Sequence, residues 1–239
     1  ILYHIHNPDT YAKLNFIQAV PNCNWIVMVR DPVISCESWI SECFKNNLYK
    51  EISTRISRML FDIDDVVFKE KEAIGIRLED LKKKPIDTMS SLCRWIGINQ
   101  EDSLYNMTAQ GKKWWGDLGF QSKPAFEKKI KSNMYKVFSR NDKFILNTLF
   151  YPFRVSFGYA KEDHKKFKAD LKIIRPMIDD VFDFEKKLIQ ITKEKKEAFK
   201  RSGHFLYLRS RLLNRWKVLN KNHTYPNLLK PLKINQYNK

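Results

Sequence analysis

The apolar positions fall into two kinds of run. Asn24-Trp25-Ile26-Val27-Met28-Val29 is an almost unbroken, β-favouring stretch that stops at Arg30, the pattern of a strand buried on both faces of a parallel sheet. Asp31-Pro32 then predicts a helix start. Asp is a preferred N-cap, and Pro suits the first helical position because its missing N–H would have had no partner there. From Leu48 to Phe68, Ile52, Ile56, Met59, Leu60 and Ile63 recur at helical spacing, and Ala73-Ile74-Gly75-Ile76-Arg77-Leu78 reads as a second strand. Pro85 opens another helix carrying Met89, Leu92, Cys93 and Ile96, which ends at Gly97, a residue suited to the left-handed C-terminal position. This β-α-β-α rhythm predicts an α/β fold, a parallel sheet with flanking helices. Ile1 to Ile5 has the pattern of a further strand.

Between Asn99 and Lys123 the periodicity weakens, and Gly111, Gly116 and Gly119 surround Trp114-Trp115, which predicts a long surface loop. After Asn141 the pattern is helical again. It stays so from Glu162 to about Asn220, with breaks near Pro176 and Gly203 and no internal repeat. The expected organisation is an α/β domain over 1–160 and a basic helical extension over 161–239. Within the extension, Leu206, Leu212, Leu213, Trp216 and Leu219 supply an apolar helix face that packs on the domain or lies at a membrane surface; packing is the expectation.

The chain has 239 residues, of which 43% are hydrophobic and 13% aromatic, enough to bury a core and too apolar for global disorder. Nothing visible approaches the roughly 20 apolar residues needed to cross a bilayer, and a cytoplasmic location is expected. The first residue is Ile1 rather than Met, so the natural start is expected upstream. Cys23, Cys36, Cys43 and Cys93 lack paired spacing for zinc and are read as free thiols. The net charge of +17 is concentrated in the tail, where 161–239 holds 21 Lys and Arg against 9 Asp and Glu. A Lys-rich solvated helix surface explains such a bias, as do an anionic substrate, a membrane surface or nucleic acid.

In open parallel sheets, ligands bind beyond the carboxyl ends of strands, near helix N-termini. Arg30 stands at such an end, and its guanidinium suits either a carboxylate or a phosphate held by two parallel hydrogen bonds. Ser38, eight positions on, shares a helix face with Ser35 and offers a hydroxyl to the same anion. The segment from Pro21 to Pro32 followed by Ser38-Trp39 resembles the element of sulfotransferases that binds the 3′-phosphate of 3′-phosphoadenosine 5′-phosphosulfate (PAPS). A second block, Ile76-Arg77-Leu78-Glu79-Asp80-Leu81 through Pro85 to Trp95-Ile96-Gly97, resembles the same family's strand, Tyr-Glu-Asp-Leu and Phe-Leu-Gly pattern. The likeness extends over about residues 1–160.

The resemblance implies a P-loop NTPase-like sulfotransferase fold that moves a sulfuryl group from PAPS to a hydroxyl or amine, leaving adenosine 3′,5′-bisphosphate (PAP) and requiring no metal. It implies that Arg30 and Ser38 hold the 3′-phosphate. His6, in a Lys-x-His-x-Pro-like setting, is then the candidate general base, the plainer alternative being a strand-end histidine bonded locally. Gly111, Lys112, Lys113 and Trp115 correspond to a basic loop over the nucleotide, either Lys serving as the contact and the Trp pair either stacking or anchoring the loop. Two positions depart from the family. Leu78 replaces a Tyr near the adenine, and the Lys-x-Gly-Thr phosphosulfate loop is missing from this sequence and expected upstream, so the chain alone is expected to be weakly active or inactive. The acceptor, whether small molecule, lipid or carbohydrate, is not specified, and no nucleic-acid partner is expected. The rival reading is a non-enzymatic, basic binder of nucleic acid or another polyanion.

Overall fold

The computed structural model describes residues 10–46, 48–105, 108–109, 112–113, 136–189 and 193–234. In chain order it contains α1 (Thr10–Ala19), β1 (Trp25–Val29), α2 (Pro32–Lys45), α3 (Tyr49–Asp62), α4 (Val67–Glu70), β2 (Ala73–Arg77), α5 (Leu78–Lys83) and α6 (Pro85–Ile96). There follow a 3₁₀ turn (Asp102–Tyr105), β3 (Thr108–Ala109), β4 (Lys112–Lys113), α7 (Arg140–Leu149), α8 (Tyr151–Ser156), α9 (His164–Ile178), α10 (Asp183–Ile189), α11 (Lys193–Lys200), α12 (Gly203–Asn222) and β5 (Lys230–Pro231). The protein is mostly helical with a small three-stranded parallel sheet. It divides into two compact units, one of residues 1–25, 31–73 and 133–230, the other of 26–30, 74–132 and 231–239.

The first unit is helical. α3 is its hub, with α2 on one flank and α12 on the other, and α9 lies against both α7 and α12. Ile52, Ile56 and Leu60 of α3 are fully buried, as are Leu146 of α7, Ile174 of α9 and Leu208, Leu212 and Leu219 of α12. Capping explains where several of these helices begin. Asp31 caps α2 with Pro32 at the first position, Ser139 and Asp142 form a reciprocal capping box on α7, and Ser202 caps α12.

The helices after residue 161 thus belong to the same core as α2 and α3, so the compact units do not divide at the expected 160/161 boundary. The apolar face of α12 also differs from the expected one. Phe205, Leu208, Leu212 and Leu219 are buried, whereas Leu206 is 54% exposed. Two arginines share the buried face. Arg209 pairs with Glu185, which also accepts Tyr49 Oη–H at 2.6 Å and the Phe182 N–H at 2.7 Å. Arg215 pairs with Asp64 and lies over the rings of Phe61 (3.8 Å) and Tyr225 (4.8 Å). The expected break near Gly203 is the turn at Arg201 and Ser202, after which Gly203 opens α12.

The second unit holds the sheet, in the order β1-β2-β5. β2 is central, with Ala73 to Ile76 all buried. β1 lies at an edge and is half-buried, Met28 being 52% exposed, so the strand expected to be covered on both faces is instead β2. β5 joins the far side of β2, where the Leu232 N–H donates to the Gly75 carbonyl at 2.8 Å. α6 ends at Gly97 in the left-handed region (φ 79°), and the N–H groups of Gly97 and Ile98 both return to the Cys93 carbonyl at 2.9 Å. Within the stretch expected to be one long loop, the described residues form the 3₁₀ turn and an antiparallel β3–β4 pair with Thr108 opposite Lys113.

Candidate functional site

At the carboxyl end of the sheet in the second unit, β1 delivers Arg30 and β2 runs directly into α5. Glu79 and Asp80 occupy the first turn of α5, where negative side chains complement the positive end of the peptide dipoles. The Arg30 guanidinium lies 3.8 Å from the Glu79 carboxylate, and both side chains are less than one-fifth exposed. Arg77, the last residue of β2, meets Asp80 at 3.1 Å. This is therefore a pair of shielded arginine–carboxylate contacts at the position where parallel sheets hold ligands. An anion reaching Arg30 competes with Glu79 for it. Leu78 begins α5 and is half-buried.

The first turns of α2 lie in the other unit. The Asp31 carboxylate accepts the N–H groups of Val33 (2.9 Å) and Ile34 (3.4 Å) and two hydrogen bonds from Arg154, at 3.1 and 3.0 Å. Glu37, one and a half turns on, accepts the Phe138 N–H at 2.9 Å and the Lys143 ammonium at 3.0 Å. Between these two ion pairs is a cleft of about 180 Å³ bordered by Ile34 and Asn147 as well. Its charges are neutralised in place, and it is smaller than the roughly 300 Å³ at which pockets begin to enclose drug-sized ligands. Cys36, on the same helix, is buried. Burial, and then the negative charge of Asp31, push its thiol far above the usual range, so it is no thiolate nucleophile.

Ser38 is half-buried on α2. Its carbonyl accepts the Ser41 hydroxyl at 2.8 Å, while its own hydroxyl has no partner among the described residues. Ser35 lies one turn earlier, as expected from the spacing. Of the other candidates, His6, Gly111 and Trp115 lie outside the described residues. Lys112 and Lys113 are strand residues, paired through β4 with Ala109 and Thr108. All four cysteines are free. Among the described residues no cluster of His, Cys, Asp or Glu is arranged to hold a metal, and no helix is long and apolar enough to cross a membrane.

Sequence reasoning missed Glu79 as the partner of Arg30 and Arg154 as the partner of Asp31. Glu79 carried a weak signal, being an acid just after the neighbouring strand, whereas Arg154 lies 123 residues from Asp31 and carried none. No known protein family, curated protein or solved structure matches the chain.

Proposed function

We propose that this chain contributes the 3′-phosphate-binding part of a PAPS-dependent sulfotransferase with a P-loop NTPase-like fold, Arg30 and Ser38 being the residues that hold the phosphate. The observation that carries the reading is local. A strand of a parallel sheet ends at Arg30, a capped helix starts two residues later, and that helix bears Ser38 with an uncommitted hydroxyl. The second block of the resemblance supports it through its order of strand, acidic turn, Pro-started helix and left-handed Gly97.

PAPS, when bound, supplies the sulfuryl group. In this chain Arg30 contributes a planar donor pair to the 3′-phosphate, Ser38 a single hydroxyl donor, and His6 the base that takes the proton of the acceptor. Glu79 keeps the guanidinium partly neutralised until phosphate arrives. In the rival reading the basic tail dominates and Arg30 is structural; the internal pairing of Arg209 and Arg215 removes two of the tail's cations from such a role, while the Arg30–Glu79 contact is what that reading expects.

Titration calorimetry tests the assignment. Arg30→Lys keeps the charge but loses the planar fork and should weaken PAP binding by about 1–2 kcal/mol. Ser38→Ala should cost about 1 kcal/mol. Adenosine 5′-monophosphate lacks the 3′-phosphate, and its weaker binding should hardly respond. If both nucleotides bind equally, or both are equally weakened by Arg30→Lys, the reading fails.

A further inference from the structure

After Glu197 the sequence contains ten Lys and Arg and no Asp or Glu. The fold uses some of these cations internally. Arg209 and Arg215 are buried against carboxylates from other helices, Arg211 lies over the rings of Phe61 and Tyr207, and Lys200 reaches Asp180. The lysines of α12 are treated differently. Lys217 and Lys221 are exposed and have no ion-pair partner among the described residues.

α9 offers a matching pair. Its buried face is Phe167, Leu171, Ile174 and Ile178. Beside that face, Arg175 pairs with Asp179 at 2.5 Å and lies over the Trp216 ring at 5.4 Å. Lys168 and Lys172 extend along the same flank, both exposed and likewise without an ion-pair partner among the described residues.

Two contacts fix how the helices run. Trp216 Nε1–H donates to the Leu171 carbonyl at 2.8 Å, and Arg209 Nε–H to the Asp180 carbonyl, just beyond the end of α9, at 3.2 Å. As residue numbers rise on one helix they fall on the other, so α9 and α12 are antiparallel. This register sets Lys172 opposite Lys217 and Lys168 opposite Lys221. Four ammonium groups therefore occupy the outer edges of two neighbouring helices, in two pairs spaced i, i+4. Like charges at that spacing repel; the carboxylate that follows on the α9 flank, Asp179, is taken by Arg175.

The geometry points to this lysine face as a docking surface for an anionic lipid bilayer. Three features favour a bilayer over a folded polyanion. The charges are all lysine, compact and on flexible stems, which suits mobile headgroups, whereas the tail's buried arginines are the residues with rigid bidentate geometry. The lysines are exposed on adjacent helix flanks of one unit. An exposed apolar side chain adjoins them, Ile173 next to Lys172 on α9 (54% exposed), and Leu206 (54% exposed) lies on the Lys217 side of α12 about three turns away. The inference is independent of the sulfotransferase reading, since it uses none of the residues assigned to PAPS.

The test is co-sedimentation with vesicles of phosphatidylcholine alone and of phosphatidylcholine containing about one-quarter phosphatidylserine. Binding should appear only with phosphatidylserine and weaken steeply with salt. Lys172→Ala with Lys217→Ala should reduce it by roughly thirtyfold, at about fivefold per lysine. Lys50→Ala with Lys69→Ala, which removes two exposed lysines elsewhere, should change it little. The melting temperature of the Lys172/Lys217 variant should stay level or rise, since repulsion is relieved, whereas a structural role would lower it. Equal binding to both vesicle types, or no response to the Lys172/Lys217 variant, would overturn the inference. So would tighter binding of a double-stranded oligonucleotide with the same dependence on these two lysines, which would make the surface one for nucleic acid.

Discussion

Arg215→Met removes one charge from a pair that has almost no access to water. Both side chains of the Arg215–Asp64 pair are only 5% exposed, and Asp64 is committed on its other oxygen to the Asn227 N–H at 2.6 Å. The substitution keeps much of the side-chain volume but leaves a buried carboxylate without its counter-charge, an imbalance that typically costs about 3–5 kcal/mol. Loss of the guanidinium from the faces of Phe61 and Tyr225 adds about 0.5–1 kcal/mol each. Because this pair ties α12 to the turn that follows α3, and Arg215 also lies over Phe61 of α3, the effect falls on the core of the helical unit. Thermal unfolding followed by circular dichroism should show a drop of about 10 °C or more. Adding Asp64→Asn should recover part of the loss, since a neutral amide still accepts from Asn227 through its carbonyl and no longer needs a cation. A single variant costing under about 1 kcal/mol, or a double variant no more stable than the single, would refute the argument that an orphaned charge is what matters.

Two further predictions concern charge balance. Glu79→Gln removes the carboxylate competing for Arg30; the gross attraction at 3.8 Å is about 4 kcal/mol at an effective dielectric near 20, and most of it is offset by solvation, so PAP should bind about fivefold tighter by calorimetry. Weaker binding would mean that Glu79 orients Arg30 rather than competing for it. At Asp180, partial burial pushes the carboxyl upward, but hydrogen bonds from Lys196, the Val181 N–H and Lys200 outweigh it and hold it well below the usual carboxylate range. A folded value below the unfolded one stabilises the protein above about pH 4, the ordinary Asp range, and that stabilisation fades as pH falls toward the folded value. Asp180→Asn should therefore lower the melting temperature at neutral pH, with the difference from the parent shrinking progressively in acid.

The features legible in the sequence are those whose causes are local. Asp31-Pro32 announced the start of α2, and Gly97 announced the end of α6, because a cap or a left-handed residue needs only its neighbours. The apolar runs locate β1 and β2, but the burial on both faces expected of β1 belongs to β2. Which strand is central depends on β5, a two-residue strand containing Pro231 that has no pattern of its own. The face of α12 was misjudged for a related reason. Arg209 and Arg215 look solvent-facing by type, yet both are buried because Glu185 and Asp64, 24 and 151 residues away, neutralise them. At the candidate site, Arg30 was legible as a strand-end guanidinium. Its engagement with Glu79 depends on β1 and β2 being neighbours, a relation that spacing alone does not contain.

The place of β5 beside β2 also has a consequence for biosynthesis. The amide that pairs with Gly75 belongs to Leu232, so the second edge of the central strand waits for more than 150 further residues to leave the ribosome. At translation rates of about 5–20 residues per second, that is a delay of roughly 10–30 s. Throughout that interval a short apolar strand, Ala73 to Ile76, has one unsatisfied edge in the growing chain. The helical unit is likewise incomplete until α12 emerges, since α3 lacks one of its flanks before then. Between the synthesis of α3 and β2 and that of α12 and β5, both hubs are therefore half-covered, and β2 has to be kept apart from other chains until its last partner has been made.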